Sequence, residues 1–244
     1  MNNESQLFGI HAVMEAIKSG KTIDKIFLQK GLQGTLSKEL IVLLREHKIV
    51  PNTVPIEKLN KLTRRNHQGV VAFMAPVSFH DLEELIIQTQ EKGENPLFIM
   101  LDQLTDVRNF GAIIRTAECV GAHGIIIAKT GSAPISDDTI KTSAGAVFNM
   151  PICKVDHLKD ALFLLHASGI QSVAATEKTQ DTLYDVDFNN PTVIVMGSEG
   201  KGVSPGVLKM VNHKSKLPMY GKISSLNVSV AAGAFLYEAI RQRL

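Results

Sequence analysis

Four short, mainly apolar runs constrain this chain more than any other feature: Leu97–Leu101, Gly124–Ala128, Gln171–Ala175 and Thr192–Met196. A five-residue run that does not alternate with polar residues reads as a strand covered on both faces, the situation inside a parallel sheet. Helical patterns fill the intervals at about 110–120, 138–148 and 157–168. Strands alternating with helices argue for an α/β fold with a mainly parallel sheet, and periodicity alone suggests a doubly wound one. With 244 residues, 44% of them hydrophobic and 20% charged, the chain can bury a core in one large domain or two smaller ones.

The first 75 residues have a different rhythm and read as a small α/β unit. Helices are expected over 10–17 and 36–46, and strands at 25–28, 49–50 and 70–73, with Pro51 and Pro55 punctuating the connection. A polar loop carries Lys61, Arg64, Arg65, Asn66, His67 and Gln68. Residues 76–96 read as a linker with a short acidic helix over 81–92, so the expected domains are 1–75 and 97–244.

Several function classes lose support on composition. The formal charge of +2 gives no strong nucleic-acid field by itself, although local patches can supply one. Cys119 and Cys153 have no partners at metal-ligand spacing, so no metal is expected, and both read as buried small hydrophobes. Residues 1–5 lack the basic and apolar parts of a signal peptide, and no apolar run approaches the ~18–20 residues that span a bilayer. The expected compartment is the cytoplasm.

Three polar or glycine-rich clusters follow apolar strands, where ligands bind in parallel α/β sheets. The first runs from Asp102 to Ala117: Asn109 can cap a helix on which Gly111 and Arg115 share a face, and Gly111 would let another group approach closely. The second is Gly197-Ser198-Glu199-Gly200-Lys201-Gly202. It has two residues where a P-loop has four before Gly-Lys, and Pro205 stands where the dinucleotide fingerprint needs its third glycine. Nucleotide-dependent chemistry on a Rossmann-like sheet therefore lacks its usual residues. The third cluster runs from Leu217 through Ser224, Ser225, Leu226, Asn227 and Ser229 into four small residues. Ser224 or Ser225 can cap a helix starting near Leu226, and the small residues suit tight packing in a core or across a subunit interface.

Taken in order, Asn109-x-Gly111-x-x-x-Arg115-Thr116-Ala117, Met196-Gly197-Ser198-Glu199-Gly200 and Pro218-Met219-x-Gly221-x-x-Ser224-Ser225-Leu226-Asn227-Val228-Ser229 resemble the three motifs of the SpoU family of RNA 2′-O-ribose methyltransferases, within the SPOUT superfamily. Phe8-Gly9-Ile10-His11 and Asn66-His67-Gln68-Gly69-Val70 resemble the RNA substrate-binding domain that precedes many of these enzymes. The resemblance thus covers almost the whole chain. In length and domain pairing it is greatest to members that methylate a guanosine of 23S rRNA. It implies a C-terminal α/β domain tied in a deep trefoil knot, a homodimer formed through that domain, and S-adenosyl-L-methionine as cofactor, with S-adenosyl-L-homocysteine as product.

The resemblance also implies roles. Thr176, Gly197, Gly200, Leu217, Met219 and Leu226 match cofactor-binding positions, and Asn109, Arg115, Glu199, Ser225 and Asn227 match catalytic ones. Arginine is a poor base because its pKa stays above ~12, so a physically easier role for Arg115 is to bind an RNA phosphate and stabilise a developing alkoxide. Arg64, Arg65 and His67 are the candidate RNA contacts. Two other readings remain: a tRNA guanosine-2′-O-methyltransferase, which the three motifs do not separate from an rRNA enzyme and only the N-terminal domain disfavours, and a non-catalytic RNA-binding protein of the same fold, against which Arg115, Glu199, Ser225 and Asn227 argue.

Overall fold

A computed structural model describes residues 6–74, 77–223 and 225–244. Residues 1–5, the linker start at 76 and the candidate cap Ser224 lie outside them. The chain forms two compact units, one of residues 1–78 with 134–136, the other of residues 79–133 and 137–244.

The first unit contains β1 (Gln6–Phe8), α1 (Ile10–Lys18), β2 (Ile23–Gln29), α2 (Thr35–Glu46), β3 (Asn52–Val54), α3 (Ile56–Leu62) and β4 (Val70–Met74). Its sheet order is β1-β4-β2-β3, antiparallel except for the β2–β3 pair. Val13 of α1, Leu40 and Leu44 of α2, Ile26 of β2 and Val70 of β4 meet in its core. The strand expected at 49–50 forms only after Pro51. Lys48 takes a left-handed φ of 52° to end α2, and the Ile49 N–H is drawn back to the Leu44 carbonyl.

The second unit adds α4 (Leu82–Glu91), β5 (Leu97–Leu101), α5 (Val107–Cys119), β6 (Gly124–Ala128), α6 (Asp137–Thr142), β7 (Ile152–Val155), α7 (Leu158–Ala167), β8 (Gln171–Ala175), β9 (Thr192–Met196), α8 (Pro205–Leu208), β10 (His213–Ser215) and α9 (Val228–Arg243). The sheet is parallel throughout, in the order β10-β8-β9-β5-β6-β7. Every residue of the central strands β5 and β9 is buried, which is why their sequences carry no polar face. The segment 76–96, expected as a linker, contains α4, and its Leu82, Leu85 and Ile86 join the core of this unit.

Two expectations are corrected by local geometry. The helix expected over 138–148 is broken, because Ala144 (φ 50°) and Gly145 (φ 85°) turn the chain between α6 and a short 3-10 turn at Ala146–Phe148. Cys119 is exposed, not buried: the inward positions of α5 are Phe110, Gly111, Ile113, Ile114 and Ala117, and residue 119 falls off that stripe. Cys153 is buried in the core, where desolvation first and the Asp81 carboxylate second push its thiol pKa up to about 12. Iodoacetamide at about pH 8 is therefore expected to modify Cys119 alone in the native protein and both thiols after denaturation, read by intact mass. Native modification at Cys153 would contradict the packing.

At the end of the sheet where strands begin, Arg243 binds four carbonyls: those of Asn95 and Pro96 before β5, and of Phe188 and Asn190 before β9. The end of α9 is thereby fixed to both central strands. Among the described residues no helix is long and apolar enough to cross a membrane.

Candidate functional site

The carboxyl ends of β8, β9 and β10 open onto a cavity of about 540 Å³, a volume suited to a small-molecule ligand. The loop after β9 forms one wall. Gly197 is buried, and a Cβ there would overlap backbone atoms of Gly202 and Val203. Gly202 N–H donates to the Ser198 carbonyl at 2.8 Å, and Gly202 itself has a left-handed φ of 67°. The loop is thus a closed turn with Glu199, Gly200 and Lys201 at its tip.

Also lining the cavity are Thr176, just beyond β8, and Leu217 and Met219, beyond β10. Ser225 and Leu226 extend the wall towards α9, whose Val228, Ala231 and Phe235 face the cavity. All six expected cofactor positions, Thr176, Gly197, Gly200, Leu217, Met219 and Leu226, line this one cavity, together with Glu199 and Ser225. Asn109, Arg115 and Asn227 are not among the lining residues.

Two of those three reach the cavity wall through Glu199. Asn109 Nδ2 and Asn227 Nδ2 each donate to Glu199 Oε1 at 2.8 Å, and Asn227 Nδ2 also contacts Asn109 Oδ1 at 2.9 Å. One side chain from each sequence cluster therefore enters a single triangle, although the three are 90, 118 and 28 residues apart pairwise. Glu199 Oε2 makes no hydrogen bond to a described residue, which leaves that oxygen open to a further donor.

Helix termini set the other corners. Asp106, not Asn109, caps α5: its carboxylate accepts the Asn109 N–H at 2.8 Å, leaving the Asn109 side chain for Glu199. Asn227 caps α9 by accepting from Ser229 N–H at 2.9 Å and Val230 N–H at 3.4 Å. The cap expected at Ser224 or Ser225 thus lies further on, with Ser225 in the cavity wall. The group that comes close to Gly111 is Thr142 of α6, whose side chain a Cβ at Gly111 would overlap, so this glycine serves a helix crossing. Arg115 is exposed on α5 and makes no hydrogen bond or ion pair to a described residue.

In the first unit, Arg64 and Arg65 are exposed, and the Arg65 guanidinium lies 5.0 Å from the centre of the Phe8 ring. His67 is different. It is buried, its Nδ1 accepts the Gly69 N–H at 3.0 Å, and its Nε2 is left to donate to Asn60 Oδ1 at 2.9 Å. Both ring nitrogens are used to hold the loop together, so Arg64 and Arg65 are the side chains presented outward. Gln68 Oε1 likewise accepts the Ile10 N–H at the start of α1.

Glu177, Lys178, Ser215 and Lys216 also line the cavity and were not singled out from sequence. Glu177 and Lys178 carried a signal, because they sit just beyond the carboxyl end of the apolar strand β8, whereas Ser215 ends β10 and Lys216 follows it. The strand β10 itself was too short and polar to be recognised. Among the described residues no group of three His, Cys, Asp or Glu is placed to hold a metal ion.

The profile described as "SpoU rRNA Methylase family" matches residues 96–237, and that described as "RNA 2'-O ribose methyltransferase substrate binding" matches residues 6–80. A Bacillus subtilis protein named for the TrmH family of tRNA/rRNA methyltransferases is 36% identical over 97% of this chain and 95% of its own length. A Staphylococcus haemolyticus protein of the same description is 37% identical over 97% and 95%. Among solved structures, the SpoU methyltransferase AviRb from Streptomyces viridochromogenes with AdoMet is 26% identical, with a TM-score of 0.62 over 98% of this chain and 90% of its own. An AdoMet-bound rRNA methyltransferase from Sinorhizobium meliloti is 26% identical, with a TM-score of 0.63 over 98% and 87%. A TrmH/SpoU tRNA modifying enzyme from A. aeolicus is 34% identical, with a TM-score of 0.56 over 66% and 84%.

Proposed function

Because the chain belongs to the SpoU family of S-adenosylmethionine-dependent RNA 2′-O-methyltransferases, we propose that it methylates the ribose 2′-hydroxyl of a guanosine in 23S rRNA. Its second unit has the SPOUT α/β-knot fold and its first unit is the family's small α/β domain. The observation that carries the proposal is the Asn109–Glu199–Asn227 triangle, set against a cavity that gathers all six expected cofactor positions.

The cavity fits the cofactor on its own chemistry. Leu217, Met219, Leu226 and Phe235 offer apolar surface for a flat base, and Glu177 and Lys178 offer both charges for an amino-acid zwitterion. The Leu217 and Met219 amides make no hydrogen bond to a described residue, and Ser215 Oγ is buried without a partner among them. The buried Ser215 hydroxyl calls for a ligand, since a buried polar atom left unpaired costs about 1–3 kcal/mol. When bound, S-adenosylmethionine supplies an electrophilic methyl group carried on a sulfonium sulfur. Thr176, Gly197, Gly200, Leu217, Met219 and Leu226 would hold it.

The remaining work falls to this chain's side chains. Arg115 carries a permanent positive charge and a five-donor fork, and with no other described partner it is available to an RNA phosphate and to charge developing on the 2′-oxygen. Glu199 holds Asn109 and Asn227 in one orientation and keeps Oε2 to accept from Arg115 or the ribose hydroxyl. Ser225, in the same wall, would orient the ribose. Most of the acceleration then comes from alignment and from easing loss of the hydroxyl proton.

Arg64 and Arg65 are the proposed RNA contacts of the first unit, acting on a single-stranded loop or bulge whose ribose is accessible. In support of ribosomal RNA, the neighbour titled an rRNA methyltransferase spans 98% of this chain and the one titled a tRNA modifying enzyme 66%. A homodimer through the second unit, in the cytoplasm, completes the proposal; the outward Val230 and Tyr237 on one stripe of α9 are consistent with such an interface.

The test incubates the protein with methyl-labelled S-adenosylmethionine and, separately, 23S rRNA and tRNA transcripts, followed by digestion to nucleosides. Label on a guanosine ribose of 23S rRNA is expected. Label on tRNA alone would keep the chemistry and overturn the substrate. In the same assay, Arg64→Ala with Arg65→Ala is expected to weaken RNA binding and reduce the salt dependence of log K by about 0.7 per lost phosphate contact.

A further inference from the structure

Asp102 belongs to the first polar cluster, yet no role falls to it in the scheme above. It is 4% exposed and stands at the carboxyl end of β5, next to β9 in the sheet. Its N–H donates to the Met196 carbonyl at 2.8 Å, continuing the ladder to the last residue of β9. Its carboxylate Oδ2 accepts the Ser204 N–H at 2.7 Å, at the far foot of the turn that carries Glu199. One residue therefore holds both feet of that turn, Met196 on one side and Ser204 on the other.

The same residue starts the connection to α5. From Asp102 the chain runs through Leu104, which is buried, to the cap Asp106 and then to Asn109. Two arms thus leave Asp102. One passes through Ser204 and the turn to Glu199, and the other passes through the β5–α5 connection to Asn109. They meet again at the 2.8 Å hydrogen bond between Asn109 Nδ2 and Glu199 Oε1. A buried carboxylate is expensive to retain unless its hydrogen bonds are used. Here it fixes the base of a closed loop of side chains whose tip borders the cavity.

We propose that Asp102 is a positioning residue for methyl transfer, which sets the Glu199 turn against α5 through its hydrogen bond to Ser204. The inference rests on the reading of this chain as a methyltransferase in which Glu199 orders the reacting centre. What matters chemically is an acceptor at Oδ2, not a negative charge. Asparagine can supply that acceptor with the same reach, and alanine cannot. The role is exercised through Glu199, so removing Asp102 from a chain that already lacks the Glu199 carboxylate has little left to disturb.

The experiment compares Asp102→Ala, Asp102→Asn, Glu199→Ala and the Asp102→Ala/Glu199→Ala double variant, all below their unfolding temperatures. S-adenosylmethionine affinity is read by calorimetry, and turnover on the transcript that the wild type labels. Asp102→Ala is expected to weaken cofactor binding and to lower turnover, each about tenfold or more, as expected when the Ser204 N–H loses its acceptor. Asp102→Asn should stay within about threefold of wild type, and the double variant should turn over no more slowly than Glu199→Ala. The proposal is overturned if Asp102→Ala matches wild type in both readouts, if Asp102→Asn is as impaired as Asp102→Ala, or if the two losses simply multiply. A wild type that binds cofactor but labels no RNA counts against the methyltransferase reading, and the affinity series then decides the role of Asp102 alone.

Discussion

Arg115→Ala is expected to lower turnover by about a hundredfold to a thousandfold, the range seen when one donor to developing charge is removed, while S-adenosylmethionine affinity stays within about threefold of wild type. The two halves of this expectation come from different observations. Arg115 is exposed on α5 and has no hydrogen-bond or ion-pair partner among the described residues, so truncating it strands no internal group. It is also absent from the cavity lining, so the cofactor should not register its loss. The deficit must then appear in the RNA-dependent step. Arg115→Lys separates charge from shape: an ammonium keeps the positive charge but cannot form the planar two-pronged contact of a guanidinium. Lysine retaining near-full turnover at saturating RNA would remove both roles assigned to the arginine.

The second large effect is structural. Gly197→Ala is expected to destabilise the second unit by roughly 3 kcal/mol, the upper part of the range for overpacking a rigid site. At about 2–4 °C per kcal/mol for a unit of this size, the melting temperature should fall by roughly 6–12 °C. The obstacle is backbone: the added Cβ would overlap Gly202 and Val203, and Val203 is itself buried in the core, so the turn cannot move aside without unpacking. Cofactor affinity should fall with it, because the displaced turn is a cavity wall. Gly200 supplies the contrast. Nothing lies within 4 Å of a Cβ built there and its φ is not left-handed, so Gly200→Ala should leave the melting temperature within about 1–2 °C of wild type. Any effect of that variant belongs to the ligand. Equal melting temperatures for Gly197→Ala and wild type would refute the packing argument.

The parts of this molecule legible in its sequence are those in which local pattern and tertiary setting agree. Leu97–Leu101 and Thr192–Met196 have no polar face because each lies between neighbours in the sheet and under helices, and continuous apolarity records that environment directly. The edge strand His213–Ser215 leaves no such record, since its first two residues are exposed and a three-residue strand has no period to detect. Capping shows the same division. Asp106 and Asn109 are both good cap residues; the Asp106 carboxylate takes the Asn109 N–H while the Asn109 side chain is held by Glu199, 90 residues away, a partner that local pattern does not reveal. Gly111 was legible as a site of close approach but not as to what approaches, because α6 meets it only in three dimensions. His67 stands beside Arg64 and Arg65 in the sequence and shares with them the expectation of an RNA contact. Its two hydrogen bonds within the loop turn it inward, and neither partner could be inferred from the composition of the loop.

The triangle of Asn109, Glu199 and Asn227 has a consequence for how such a chain comes into being. Asn227 caps the final helix, and the cavity is walled in part by Ser215, Leu217 and Met219, so nearly the whole second unit must be synthesised before the third corner exists. A nascent chain that has made Asn109 and Glu199 possesses two-thirds of its polar cluster and no finished pocket. Long-range closures of this kind are slow, and the Asn109–Asn227 contact spans 118 residues. The polar cluster at the edge of the pocket is therefore completed only once α9 has been made and has packed against the rest of the unit.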